Sequence, residues 1–128
     1  MSELIRYKLE FPINSSVSIL YKRLSNASGL AEWFADDVVL KDKTYTFSWD
    51  GFTQTAKILK KKENQLIRYK WEESDKTEDY FEFLIQIDDI TSDVALIITD
   101  FAENNIEKEE QTKLWEKQVQ SLKRAIGS

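Results

Sequence analysis

The chain has 128 residues, of which 41% are hydrophobic, and it contains neither cysteine nor histidine. This length and apolar content suffice for one packed domain but not for two of ordinary size. The missing side chains exclude disulfides, thiolate zinc sites, cysteine nucleophiles and imidazole acid–base catalysis. A formal net charge of −5 repels polyphosphate, so we expect no nucleic-acid partner.

The N-terminal residues are a possible place for a signal peptide. The segment MSELIRYKLE mixes charged with apolar side chains, whereas a signal peptide needs a continuous apolar stretch. No apolar run in the chain approaches the roughly 20 residues of a membrane span. We therefore expect a cytoplasmic protein without a membrane span.

The first element is a predicted strand over residues 3–13, because apolar and polar side chains alternate there with a period of two. Its apolar face comprises Ile5, Tyr7, Leu9, Phe11 and Ile13. Pro12 has no N–H for a strand ladder, and the polar run at 14–16 offers oxygens to the first N–H groups of a helix. Strand is therefore expected to give way to helix near residue 14.

Two short helices are predicted next. The apolar stripe of the first comprises Val17, Leu20, Tyr21 and Leu24. We expect Ser28 to cap the second helix. The apolar face of that helix comprises Leu30, Trp33 and Phe34. Asp36 and Asp37 follow and favour a helix exit, because acids at a helix C-terminus oppose the macrodipole.

Between Asp37 and Phe101 the period of two returns, and turn signals divide this stretch into about six strands. The clearest hairpin signal is the Asp50-Gly51 pair, which suits a two-residue turn. Short connections of this kind indicate antiparallel neighbours. Further turns are predicted at residues 41–43, 62–65 and 88–93, with a longer acidic loop at residues 72–79.

The last element is a long amphipathic helix. Asn104 and Glu107 have the spacing of a capping box at its start. Its apolar stripe comprises Trp115, Val119, Leu122 and Ile126. So long a stripe needs a large apolar partner, and the preceding sheet supplies the available one. The sequence therefore predicts an α+β fold with the order β-α-α-β(6)-α.

Three segments give this chain a resemblance to a known family: FPINSSVSILYKRLSNASGLAEWFAD, YTFSWDGF and TKLWEKQVQSLKRAI. The chain resembles the START/SRPBCC superfamily with its helix-grip, Bet v 1-like fold. Within it, the chain is most similar to small bacterial START-like proteins related to the chaperone-ATPase activator domain. The resemblance implies one domain over residues 1–128, with a curved antiparallel sheet of about seven strands around a long C-terminal helix.

In that family a cavity between the sheet and the terminal helix often takes a small apolar or amphipathic molecule, so the resemblance implies a ligand site here. The residues whose alternation or helical position points them toward such a cavity are Trp33, Phe34, Phe47, Trp49, Tyr69, Trp71, Phe83, Ile85, Phe101, Trp115 and Val119. The same spacing is typical of ordinary core residues. Two alternatives therefore stand: the rings wall an open cavity, or they fill it.

Two other function classes remain open. Relatives that activate chaperone ATPases contact a partner protein, and the acidic loop at residues 72–79 or an exposed sheet face could do so here. Cavity-type cyclases and hydrolases also use this fold, and the tyrosines predicted to point inward are Tyr7, Tyr45 and Tyr69. No paired carboxylate is recognisable beside them in the sequence, so no catalytic residue is assigned.

The sequence predicts no cofactor and no metal site. Calcium needs about six to eight oxygens in a shaped loop, and neither acidic pair, Asp36-Asp37 or Asp88-Asp89, lies in such a pattern. Both pairs are interpreted as turn residues. The oligomeric state has no signature in the sequence.

Overall fold

A computed structural model describes residues 4–76 and 79–127 of the chain. Residue 3 of the first predicted strand and residues 77–78 of the acidic loop lie outside this part. The elements in chain order are β1 (Ile5–Ile13), α1 (Val17–Ser25), α2 (Ala27–Leu30), β2 (Asp37–Lys41), β3 (Thr44–Trp49), β4 (Phe52–Lys62), β5 (Leu66–Trp71), β6 (Tyr80–Ile87), β7 (Val94–Ala102) and α3 (Asn105–Ile126). The predicted order and the α+β class are confirmed.

All seven strands belong to one antiparallel sheet with the order β1-β7-β6-β5-β4-β3-β2. The sheet curves around α3, whose buried residues are Trp115, Val119 and Leu122. This is the helix-grip arrangement that the family resemblance implies. No helix in the described ranges combines the length and the apolar character needed to cross a bilayer.

The turns that shape the sheet follow their sequence signals. Asp50 and Gly51 form the predicted two-residue hairpin, in which Trp49 pairs with Phe52 and Gly51 has a φ of 96°. At the β6–β7 turn, the carboxylate of Asp88 accepts hydrogen bonds from the two N–H groups at positions 90 and 91. These bonds lower the pKa of Asp88, and they confirm that this acid is a turn residue.

The second helix differs from the prediction. It begins after Asn26 instead of Ser28, and it has only four residues, so Trp33 and Phe34 lie beyond its end. The N–H groups of residues 33, 34 and 35 all converge on the carbonyl of Leu30, which closes a tight turn in place of a helix. The chain then enters the sheet, where the N–H of Asp36 donates to the carbonyl of Ser48 at 2.9 Å.

Helix α2 lies directly against α1. A Cβ added at Gly29 would come within 2.3 Å of the carbonyl oxygen of Lys22 and 2.8 Å of the Cα of Arg23. Only glycine permits this approach of the two backbones. The turn that follows carries Trp33 and Phe34 into the core, where the ring of Phe34 lies between the sheet and α3.

Candidate ligand-binding pocket

The space between the sheet and the second half of α3 is filled by side chains. Val119 and Leu122 of this half are buried, and the core cluster that contains them includes Phe47, Tyr69 and Phe83, which are fully buried. The Tyr69 hydroxyl donates to the carbonyl of Leu24 at 2.7 Å, so even its polar end is satisfied inside the core. This part of the predicted cavity is closed.

The space beneath the first half of α3 is open. It forms a pocket of about 770 Å³, within the range of about 300–1,000 Å³ usual for small-molecule sites. Its wall combines aromatic rings from the sheet with side chains from α3 and from the loop before β6. The lining residues are Phe34, Trp49, Phe52, Gln54, Trp71, Glu73, Ser74, Asp75, Asp79, Asp100, Glu107, Gln111, Leu114, Trp115 and Gln118.

Four of the residues predicted to wall a cavity line this pocket, namely Phe34, Trp49, Trp71 and Trp115. Six others do not line it: Trp33, Phe47, Tyr69, Phe83, Ile85 and Val119 are all buried in the core. Trp33 borders a second hollow of about 470 Å³, which shares Phe34, Trp49, Leu114 and Gln118 with the pocket. The indole N–H of Trp33 donates to the carbonyl of Arg23 at 2.8 Å, which fixes the ring.

Phe101 lies on the other face of the sheet, so its predicted inward position is wrong. The preceding residue, Asp100, lines the pocket, and adjacent residues of a strand point to opposite faces. The ring of Phe101 instead packs edge-on against Tyr80, with centroids 4.8 Å apart. The sequence misleads because β7 carries apolar residues on both faces, for example Ile97 and Ile98, so alternation cannot set its register.

The aromatic wall is anchored through one backbone carbonyl. The carbonyl of Phe34 accepts hydrogen bonds from the indole N–H of Trp49 at 2.9 Å and from the side-chain amide of Gln118 at 2.8 Å. The ring of Phe34 stacks between Phe81 and Trp115, with centroid distances of 5.2 and 5.7 Å. The 33–34 turn therefore ties the sheet to α3 at the edge of the pocket.

Asp100 is the most unusual polar residue of the pocket. One carboxylate oxygen accepts from the indole N–H of Trp115 at 2.9 Å and lies 3.4 Å from the Tyr7 hydroxyl. The other oxygen accepts from the N–H of Phe101 at 2.8 Å. Burial raises the pKa of Asp100 to about 6, with a further contribution from the charge of Asp79, although these hydrogen bonds act in the opposite direction.

A chain of polar side chains continues from Asp100 along α3. The Tyr7 hydroxyl donates to the side-chain oxygen of Gln111, and the amide of Gln111 donates to Glu107 at 2.9 Å. Burial, and next the charge of Asp100, raise the pKa of the Tyr7 hydroxyl, which therefore stays protonated. The pocket thus has an ordered polar edge that adjoins its aromatic wall at Trp115.

The polar edge is acidic. Its carboxylates are Glu73, Asp75, Asp79, Asp100 and Glu107, and no lysine or arginine is among the lining residues in the described part of the chain. The carboxylate of Glu73 is occupied by the N–H and hydroxyl of Thr55. Sequence reasoning missed Asp100, although a signal exists: it continues the inward-facing series Leu96 and Ile98 as a lone acid.

A curved sheet that holds a terminal helix, with an open pocket under one end of that helix, defines a helix-grip protein with a ligand-sized cavity. The whole chain, residues 1–128, matches the START-like superfamily domain. The protein therefore belongs to the START-like superfamily. No curated protein matches the sequence.

Solved structures agree with this assignment. A protein from Bacteroides fragilis, solved in solution, is 35% identical over 98% of this chain and 92% of its own, with a TM-score of 0.68. The Aha1 dimer from Colwellia psychrerythraea is 18% identical over 95% of this chain and 96% of its own, with a TM-score of 0.76. A protein from Cytophaga hutchinsonii is 17% identical over 98% and 96%, with a TM-score of 0.74. The last two similarities concern the fold alone.

Proposed function

We propose that this protein binds a small apolar or amphipathic molecule in the pocket beneath the first half of α3. The observation that carries the proposal is an apolar surface left open to solvent around that pocket. Phe52 is 56% exposed and Leu114 is 55% exposed, and both line it beside the indoles of Trp49 and Trp71. Covering such surface contributes about 25 cal/mol per Å² of apolar area, which a ligand would supply.

The first test separates the pocket wall from the core. N-phenyl-1-naphthylamine, an uncharged apolar fluorophore, is titrated into the protein, and we expect saturable binding with emission enhanced by transfer from the wild-type tryptophans. Trp71→Ala is expected to raise the dissociation constant about tenfold, since it removes a large part of the aromatic wall. Equal affinity in the wild type and the variant would contradict a site at this pocket.

A matched core variant controls for lost stability. Ile85 is buried away from the pocket, and Ile85→Val is expected to lower the free energy of unfolding by about 1 kcal/mol. The dissociation constant of the fluorophore should stay unchanged in this variant. If Ile85→Val weakened binding as much as Trp71→Ala does, the fluorophore would be reporting on overall stability and the proposed site would fall.

A second candidate function is association with a protein through the edge strand β2. Val39 and Leu40 are 51% and 48% exposed on this strand, whose outer backbone groups have no strand beside them in the sheet order. The Colwellia structure described above is of a dimer, which is the reason to test self-association first. Light scattering after size exclusion should then give a dimer that Leu40→Lys converts to monomer, while a monomeric wild-type protein would remove this candidate.

A further inference from the structure

The charge around the pocket indicates which class of small molecule binds there. This inference rests on the proposed function. We propose that the pocket takes an apolar molecule bearing a cationic group, an amine or a quaternary ammonium. The apolar part lies against the aromatic wall, and the cation lies beside the carboxylate of Asp100.

The first argument is that Asp100 is a mostly buried carboxylate without a basic partner. Its two hydrogen-bond donors, an indole and a backbone N–H, are both uncharged, and the Tyr7 hydroxyl, 3.4 Å away, donates to Gln111. Among the described residues no lysine or arginine forms an ion pair with it. Burying a carboxylate costs free energy unless a cation or further hydrogen-bond donors compensate it. A positively charged ligand group beside Asp100 would therefore be stabilised.

The second argument is that the nearby lysines are occupied elsewhere. Lys76 pairs with Glu103 at 2.8 Å, and the Nζ of Lys70 donates to the carbonyls of Trp71 and Ser74. Lys108 of α3 lies over the ring of Tyr7, 5.8 Å from its centroid. The side chains that do face the pocket around Asp100 are acidic or neutral, so they repel an anionic ligand such as a fatty acid.

The third argument concerns the wall itself. Indole faces attract cations through the ring quadrupole, and this attraction strengthens when water is excluded. Trp49, Trp71 and Trp115 all line the pocket, and the indole N–H of Trp115 binds Asp100 directly. Aromatic faces and a carboxylate around one cavity form the combination that holds ammonium groups.

The test uses three probes that share one ring and differ in charge: 1-naphthylmethylamine, 1-naphthalenemethanol and 1-naphthoate. The readout is the shift of the tryptophan indole N–H signals in two-dimensional NMR, assigned by single Trp→Phe variants. We expect the amine to bind about tenfold more tightly than the alcohol, and the naphthoate to bind more weakly than either. The signals of Trp71 and Trp115 should move, and that of Trp33 should not.

Variants then assign the preference to the pocket. Asp100→Asn is expected to remove the advantage of the amine over the alcohol. Asp89→Asn makes the same change of net charge at the exposed β6–β7 turn, at the opposite end of β7 from Asp100, and should have no effect. If Asp100→Asn does not fold, Glu107→Gln on α3 serves instead and should reduce the advantage. Raising the salt from about 0.05 to about 0.5 M should also weaken the amine alone.

The outcomes separate the two proposals. If the alcohol or the naphthoate binds as tightly as the amine and moves the same indole signals, the cationic ligand class is overturned while the proposed pocket stands. If the amine binds most tightly but Asp100→Asn and Glu107→Gln both leave its advantage intact, the cation lies elsewhere and this inference is overturned. If none of the three probes moves the signals of Trp71 and Trp115, both proposals fail.

Discussion

Asp100 joins the stability of the protein to its proposed ligand site. Its carboxylate lies at the inner face of β7, and the indole of Trp115 donates to it at 2.9 Å. Because burial holds the pKa of this carboxyl at about 6, its charge changes within a range that is accessible to measurement in the folded protein. The Trp115 indole N–H is therefore a built-in reporter of that charge.

We expect the Trp115 indole N–H signal to titrate with a midpoint near pH 6, because protonation weakens its hydrogen bond to the carboxylate. The indole signal of Trp33, whose acceptor is a backbone carbonyl, is the internal control and should not titrate. A Trp115 signal that stays constant from about pH 4.5 to about pH 7.5 would contradict the assigned burial of Asp100.

The same carboxyl should destabilise the fold as it ionises. Its pKa is raised in the folded state from a usual value of 3.8 to about 6, so the folded state holds the proton more tightly than the unfolded state does. The free energy of unfolding of the wild type, measured relative to Asp100→Asn, should therefore fall as the pH rises from about 4 to about 7. The expected fall is on the order of 2 kcal/mol.

Urea unfolding of both proteins across this range of pH measures the effect. Comparing the two proteins cancels the contributions of the other acidic groups, provided that the slopes with urea agree. A difference in unfolding free energy that is independent of pH, or that grows with pH, would show that Asp100 is not held in an unfavourable environment.

At the scale of elements, the close approach of α2 to α1 positions the turn that carries Phe34. Gly29→Ala is expected to lower the free energy of unfolding by about 1–3 kcal/mol, because the added methyl group meets the backbone of Lys22 and Arg23. Chemical unfolding measures this change. Ser28→Ala, at the exposed neighbouring position, is the control and should change stability by less than about 0.5 kcal/mol.

This pair of variants also tests the revised helix boundary. If Ser28 capped the second helix, as its sequence context suggests, Ser28→Ala would cost about 1 kcal/mol. The structure places Asn26 at the cap and Ser28 within the helix, so a neutral Ser28→Ala beside a destabilising Gly29→Ala is expected. A destabilising Ser28→Ala beside a neutral Gly29→Ala would instead support the predicted helix start at Ser28.

Elements with strong local signals could be predicted from the sequence. The hairpin at Asp50-Gly51 follows from turn chemistry, and α3 begins where Asn104 accepts a hydrogen bond from the N–H of Glu107, as its spacing predicts. Helix α2 could not be bounded in this way, because it packs against another helix at Gly29 and gives way to a turn closed on the carbonyl of Leu30. Such a contact is tertiary and leaves no local pattern.

The candidate site was predictable only in part, for a related reason. Trp49 and Trp71 could be assigned to the pocket because apolar and polar residues alternate cleanly in their strands. The sheet face predicted for Phe101 is wrong because β7 is apolar on both faces. Alternation also cannot tell a filled cavity from an open one. That distinction depends on where α3 lies above the sheet, which is a property of the assembled fold.

At the scale of the whole molecule, the two halves of α3 contribute differently to the interface between helix and sheet. The second half of the helix closes on aromatic rings and leucines that stabilise the fold, and the first half leaves a pocket of about 770 Å³ with an acidic edge. Stability and proposed binding therefore depend on different parts of one interface. This division explains why a small domain can bury many aromatic residues and still retain a cavity.

The central claim is that the space beneath the first half of α3 is a binding site. A crystal structure of the protein with 1-naphthylmethylamine tests it most directly. We expect the naphthyl ring in the pocket against Trp71 and Trp115, with the ammonium nitrogen about 3 Å from a carboxylate oxygen of Asp100. Clear density for the probe at another place, with the pocket itself holding only solvent, would contradict the account.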